Sequence, residues 1–269
     1  MAMLSEACQA LPPVETHKYS PKGVYETVGG LQTYVIGSQS SKKCVIDIFD
    51  AFGIRPQTLQ GADMLSAGLG ALVLMPDFFK GEGADPAAFP PDTPEKQKIL
   101  KDFRTAHGDF DKNLADLLDF AEAAKEKWSG VVNWGIFGLC WGGKVAALAS
   151  AEGAPFQVSG QGHGGRMVKE DAERMVIPHI CLASPQEPAD VVKEYQEILG
   201  KKEKPGEVES YTTMFHGWMG AKADFENAEN VKEFERAYPD FLPFRALSSA
   251  KADMRCRYSQ VANFFAKHL

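Results

Sequence analysis

A single-domain, doubly wound α/β fold with a mostly parallel sheet flanked by helices is what three features of this 269-residue sequence predict. Short apolar runs rich in β-branched residues alternate with helical patterns along the whole length. One such run, residues 71–75, is continuously apolar, as a strand covered on both faces requires. The composition, 44% hydrophobic and 24% charged, is that of a globular chain able to bury a sizeable core.

Taken in order, residues 1–22 read as a polar N-terminal lead, and nothing in residues 23–269 resembles a linker, repeat or low-complexity tract. In ETVGGLQTYVIG, Gly29 and Gly30 separate two strand-like runs, which predicts a hairpin at the sheet edge. KCVIDIFD (43–50) is a strand; a loop follows, then an amphipathic helix through Leu59, Met64 and Leu65 that Gly68 and Gly70 close. ALVLMPDFF (71–79) is the next strand. The prolines of GEGADPAAFPPDTPEK make a long surface connection, of a kind that often borders a site. Leu114, Leu117, Leu118 and Ala121 then fall at helical spacing up to Trp128. VVNWGIFGL is a strand that passes almost without a loop into the helix GGKVAALASAEG. APFQVSGQG, VIPHICLAS and VESYTTMF read as three more strands, with helical pieces at 169–174 and 190–199 between them. The final stretch, from Pro243 onward, reads as a long amphipathic helix that packs Val261, Phe264 and Phe265 on the sheet.

Charge and cysteine usage exclude several function classes. A net charge of −7 and a pI of about 5.5 leave no electrostatic footprint for nucleic acid or an anionic membrane. The N-terminal residues lack the basic and apolar regions of a secretory signal, and no window approaches the roughly 20 apolar residues of a spanning helix. The five cysteines (Cys8, Cys44, Cys140, Cys181, Cys256) include no CxxC pair, so free thiols in a reducing compartment, most simply the cytosol, are expected. No metal-ligand cluster, phosphate loop or dinucleotide fingerprint occurs, so no cofactor and no metal are expected.

IFGLCWGGK is the most specific local feature. Gly138 and Gly142 stand two positions either side of Cys140, the arrangement of a nucleophile elbow with cysteine in place of serine. Such a turn needs small flanking residues because larger ones would strike the neighbouring strand or helix. It also sets the thiol at a helix N-terminus, where free amides and the helix dipole favour a thiolate. The plain alternative is a tight strand-to-helix turn around a buried, inert cysteine.

A base and an orienting carboxylate must follow the nucleophile in the chain, acid first and histidine last. Of the six histidines, His216 follows a late strand and precedes Gly217, which suits the base. His163, in SGQGHGG, also follows a strand and is the second candidate, or a residue lining the same cleft. His179 falls inside a strand, where a structural role is expected, and His17, His107 and His268 lie in less suitable segments. For the acid, Glu187 and Asp190 both follow VIPHICLAS; Glu187 is favoured, with Asp190 read as the N-cap of the next helix. With these roles, Cys140 attacks a carbonyl, and the amides of Ala51 and Trp141 hold the oxyanion. Water then resolves the thioester. An ester, lactone or thioester suits this better than a peptide, because a thiolate is easily expelled from an adduct with an amine leaving group.

FDAFG (49–53), MPDFFKG (75–81), GLCWGG (138–143) and FHGW (215–218), in that order, resemble the dienelactone hydrolase family, cysteine-dependent members of the α/β-hydrolase fold. The resemblance runs from about Tyr34 to the C-terminal helix. It implies Cys140 as nucleophile, His216 as base and Glu187 where the family usually carries aspartate. It also implies that Asp50, at the place of a family glutamate, contacts the resting cysteine. Family arginines that hold a substrate carboxylate are replaced by FFKGEG and HGWMGAK, leaving Lys80 and Lys222 as the cations and arguing against dienelactone itself. Phe78, Phe79, Trp141 and Trp218 are expected to wall an apolar pocket, with Phe79, Lys80, His163 and Trp218 the candidate substrate contacts. The expected partner is a small-molecule ester or lactone, with no nucleic acid or membrane, for a monomer or homodimer. Two other readings remain: a ligand-binding or isomerising protein of the same fold, and a redox-sensitive thiol protein, for which Cys181 is the nearest candidate resolving cysteine.

Overall fold

The computed structural model describes residues 11–15, 18–201, 203, 206–238 and 259–269. At its edge, Val24–Val28 (β1) and Leu31–Ile36 (β2) form the expected hairpin, joined by Gly29 and Gly30 at φ +56° and +78°. Both positions lie in the left-handed region, which is why a Gly-Gly pair makes so tight a turn. Lys43–Ile48 (β3), Leu72–Pro76 (β4), Asn133–Leu139 (β5), Val158–Gly162 (β6), His179–Ala183 (β7) and Glu207–Ser210 (β8) complete one eight-stranded sheet. Its order is β1-β2-β4-β3-β5-β6-β7-β8. Pairing is antiparallel from β1 through β2 to β4 and parallel from there to β8.

The helices follow from their caps and stripes. Pro56–Leu69 (α1) ends at Gly70, whose φ of +60° and amide bond to Ser66 O close it as the sequence predicts. Pro94–His107 (α2) begins in the last three residues of the stretch expected to be a loop and continues through residues to which the sequence reading assigned no element. It starts from Thr93, whose hydroxyl accepts from Lys96 N, with Pro94 in its first turn, but it buries only Leu100 and so shows no apolar stripe. Phe110–Lys127 (α3), Trp141–Leu148 (α4), Lys169–Arg174 (α5) and Ala189–Leu199 (α6) occupy the expected places. The Lys144 ammonium of α4 meets the buried Asp171 carboxylate of α5 at 2.7 Å and fixes one helix on the other. Ala228–Ala237 (α7), capped by Asn227, has no counterpart among the expected elements. Of the expected C-terminal helix, Gln260–His268 (α8) is present with Val261, Phe264 and Phe265 buried; the part from 243 to 258 lies outside the described residues. No helix among the described residues is long and apolar enough to cross a membrane.

Parallel strands with helices on both faces bury their backbones, so strand ends at the carboxyl edge are where side chains and free amides gather. Most of the sheet interior is apolar, with Val45, Ile46, Leu74 and Ile136 fully buried. Asp47 is an exception: it is 1% exposed and neither carboxylate oxygen has a hydrogen-bond partner. Burial pushes its pKa from 3.8 up to about 8. The folded protein therefore holds this group protonated at neutral pH, whereas the unfolded chain ionises it. Its stabilising contribution is complete below about pH 4 and is lost as the pH rises toward about 8, at up to about 1.4 kcal/mol per pH unit. Asp47→Asn, neutral throughout, is expected to flatten that decline. Melting temperatures of both proteins at pH 5 and pH 8 check this; parallel declines would place the effect elsewhere.

Candidate active site

Cys140 stands between β5 and α4 at φ +50° and ψ −108°, a conformation that non-glycine residues rarely adopt. The turn is this sharp because its flanks carry no side chains. A Cβ on Gly138 would lie 2.1 Å from Gly142 O, and one on Gly142 would lie 2.4 Å from Ile48 O. Hydrogen bonds then pin the residue: its amide donates to Gly162 O at 3.1 Å, and its carbonyl accepts from Lys144 N at 3.1 Å and Gly165 N at 2.8 Å. Only 3% of Cys140 is exposed.

His216 Nε2 lies 3.1 Å from Cys140 Sγ, and His216 Nδ1 lies 2.7 Å from Glu187 Oε1. Facing a carboxylate, Nδ1 carries the ring proton, which leaves Nε2 to exchange a proton with sulfur. Glu187 Oε2 accepts the Ser184 amide, so both carboxylate oxygens are committed, and His216 and Glu187 are both buried. Burial removes competing water and strengthens each charge interaction along the chain.

Glu187, the favoured acid, thus contacts His216, while Asp190 is exposed in the first turn of α6. The N-cap of that helix is Pro188, so Asp190 does not cap it and instead meets the positive end of its dipole. His216 is also farther from its strand than the sequence suggested. The predicted strand VESYTTMF stops at Ser210; Tyr211 N still bonds Ala183 O, and the chain then turns, with Met214 N donating to Tyr211 O. Gln186 was not anticipated. Its side-chain oxygen accepts the His216 amide at 2.7 Å, so adjacent residues hold the backbone and the ring of one histidine. A glutamine beside the acid carries no sequence pattern that could have announced this.

Asp50 accepts Phe52 N at 2.9 Å and Ala221 N at 2.7 Å, joining the loop after β3 to the loop after His216. A Cβ on Gly220 would lie 2.2 Å from Asp50 Oδ2, so this approach requires glycine there. Ala51, next in the chain, is fully buried, and its carbonyl accepts Ala84 N at 2.8 Å. Trp141 begins α4, where first-turn amides have no intrahelical acceptor. The close packing of Ile48 and Phe49 on Gly142 brings the loop that carries Ala51 against the Cys140 turn.

Among the expected substrate contacts, Phe79 is buried with its ring 4.6 Å from Trp141 and 5.0 Å from Phe49. Lys80 is exposed at φ +52° and, with Phe78, Phe79, His107 and Phe120, lines a cavity of about 530 Å³. Phe78 and Phe79, which line the cavity, both pack on Trp141, whereas Cys140, Glu187 and His216 do not line it. His163 is fully buried, 5.2 Å from His216 between ring centroids and edge-on to it. Trp218, expected on the pocket wall, packs in the core instead: its ring lies 4.4 Å from Tyr211 and its carbonyl accepts Asn230 Nδ2. Lys222, read as a possible substrate cation, is buried along Gly217. His179 has the structural role expected of it, with Nδ1 2.8 Å from Ser159 Oγ and burial lowering its pKa to about 3.

The chain matches the dienelactone hydrolase family over residues 31–246. It is 36% identical over 223 residues to an uncharacterized AIM2 family protein of Schizosaccharomyces pombe, covering 81% of this chain and 88% of that one. A second such protein of the same yeast is 31% identical over 225 residues, covering 81% and 87%. Among solved structures, the Pyrococcus furiosus esterase Pf2001 superposes with a TM-score of 0.59 at 14% identity, covering 96% of this chain and 99% of that one. A dienelactone hydrolase-like promiscuous phosphotriesterase, P91, from metagenomic libraries gives 0.56 at 16% identity, covering 93% and 98%. The structural likenesses establish the α/β-hydrolase fold, and the family match, which spans well over half of the sequence, establishes that the chain belongs to the dienelactone hydrolase family.

Proposed function

We propose that the protein hydrolyses an ester or lactone of a small organic molecule through Cys140, His216 and Glu187 and a thioester intermediate. The observation that carries this reading is the unbroken chain from Sγ to Nε2 at 3.1 Å and from Nδ1 to the carboxylate at 2.7 Å, set on a strained turn at a helix N-terminus. In the first half-reaction His216 Nε2 takes the thiol proton and Sγ attacks the carbonyl carbon. The Ala51 and Trp141 amides receive the oxyanion. Collapse of the adduct breaks the bond to the leaving oxygen, which takes the proton from Nε2. In the second, His216 removes a proton from water as it attacks the thioester carbonyl, and the thiolate leaves with that proton returned to sulfur. Glu187 holds the ring in its productive tautomer and stabilises the imidazolium.

Phe79 and Trp141 offer the acyl or leaving group an apolar wall, and Lys80 offers a cation at the cavity mouth. A disulfide-forming role fits the fold poorly, because β6 separates the strands of Cys140 and Cys181, about 10 Å at ordinary strand spacing. Incubation with short-chain p-nitrophenyl esters tests the proposal: release of p-nitrophenol with a transient acyl mass increment supports it, and the absence of both overturns it. Within it, Glu187→Gln is expected to lower kcat by about 10²- to 10⁴-fold, as a neutral amide no longer favours the imidazolium. Asp190→Ala is expected to leave kcat within about twofold. Comparable losses in the two variants would remove Glu187 from its role.

A further inference from the structure

We propose that Gly165 is a positioning residue whose amide, by donating to the Cys140 carbonyl, strengthens the Trp141 N–H as an oxyanion donor, an inference that rests on the hydrolase reading above and deepens it. Cys140 O and Trp141 N–H belong to one peptide group. Cys140 O accepts two hydrogen bonds: from Lys144 N at 3.1 Å, the ordinary bond of the first turn of α4, and from Gly165 N at 2.8 Å. The second donor comes from outside the helix, in the loop between β6 and α5, and makes the shorter bond. A carbonyl that accepts a hydrogen bond draws electron density from its own amide nitrogen, so the N–H of that peptide group becomes the better donor.

The loop is held in place to make this bond. His163 anchors it at one end, with its amide donating to Leu182 O at 2.7 Å, and Arg166 at the other, with its guanidinium 5.7 Å from the centre of the Phe110 ring. Both residues take left-handed backbone, at φ +38° and +50°, and Gly164 and Gly165 lie between them. A Cβ on Gly165 would stand 3.0 Å from both C and O of Cys140 and 3.3 Å from Trp141 N. This residue therefore lies against the face of that one peptide group, and a side chain would hold the loop away from it.

The other proposed oxyanion amide is arranged in the same way. Ala51 N shares its peptide group with Asp50 O, which accepts Gly53 N at 3.0 Å. There the donor is part of the same tight turn, whereas at Trp141 it is brought in from the loop after β6, so Gly165 is the donor that can be removed without touching the elbow. Cooperative strengthening of about 10–30% per bond, applied to a donor whose removal costs about 10²- to 10³-fold in kcat, corresponds to about a two- to eightfold effect.

The test exchanges the Gly165 N–H for an ester oxygen by incorporating glycolic acid at that position. The same exchange at Asp171, whose amide donates to Val168 O at 3.1 Å where the loop enters α5, is the control. The Gly165 ester is expected to lower kcat/KM for p-nitrophenyl acetate about two- to eightfold and to move the Trp141 amide nitrogen resonance upfield. Alkylation of Cys140 by iodoacetamide, read by peptide mass, is expected to stay within about twofold, because that reaction uses the thiolate and develops no oxyanion. The control ester is expected to change none of the three. Equal falls in hydrolysis and alkylation overturn the proposal, since the exchange would then have disturbed the cysteine itself. An unmoved Trp141 resonance overturns it whether or not any ester is cleaved. That resonance needs no turnover, so failure of the hydrolase reading shows separately, as the absence of p-nitrophenol release by wild type.

Discussion

Cys140→Ala is expected to lower p-nitrophenyl ester hydrolysis by about 10⁴-fold or more and to eliminate the acyl mass increment, while the protein melts within a few degrees of wild type. In the proposed mechanism the size of the loss follows from Cys140 being one member of a unit: without sulfur, His216 and Glu187 have no acyl acceptor to serve. The fold survives because alanine keeps the Cβ at φ +50° and gives up only the sulfur contacts. Cys140→Gly separates the two properties further. It abolishes turnover equally and relieves the left-handed strain, so its melting temperature is expected to rise above that of the alanine variant, by an amount equivalent to about 1 kcal/mol. Steady-state kinetics, intact mass and thermal melts on the three proteins check both statements. Hydrolysis that persists in the alanine variant would remove Cys140 from the mechanism.

Gly138→Ala is expected to be the most destabilising single methyl addition at the site, at about 4 kcal/mol or more, with little folded protein recovered. The added Cβ would stand 2.1 Å from Gly142 O and 2.7 Å from Gly143 N, and both are backbone atoms of α4 that no rotamer change can move. Gly30→Ala is the control. Gly30 sits at φ +78° with nothing within 4 Å of an added Cβ, so only the conformational penalty applies, about 1 kcal/mol. Denaturant unfolding of the two variants beside wild type reads the difference. Equal costs would mean that the strand-to-helix turn relaxes around the methyl group and that Gly138 is not a steric requirement of the elbow.

Elements with strong local patterns were legible in the sequence. The Gly29-Gly30 hairpin, the strands flanking α1 and the passage from β5 through Cys140 to α4 each carry their own signal: left-handed glycines, buried apolar runs, small residues around a cysteine. The helices that escaped bury few large apolar side chains. α2 buries Leu100 alone, and the buried face of α7 includes Asn230 and Glu233 beside Phe234. β8 was overextended because YTTMF has strand propensity, yet the sheet ends at Ser210 and Tyr211 begins a turn.

Chain order and residue type determined the parts of the candidate site: a cysteine between small residues after a buried strand, then a carboxylate, then a histidine before glycine. Tertiary structure alone decided which of them meet. Glu187 and His216 are 29 residues apart and His216 and Cys140 are 76 apart, and their contacts depend on where the loops after β5, β7 and β8 converge at one edge of a parallel sheet. That convergence set Glu187 and not Asp190 beside His216, brought Gln186 onto the same histidine, packed Trp218 on Tyr211 and turned the two oxygens of Asp50 to the amides of Phe52 and Ala221. Local sequence fixes backbone geometry over a few residues, whereas these distances are sums over many packed side chains, and no short window contains them.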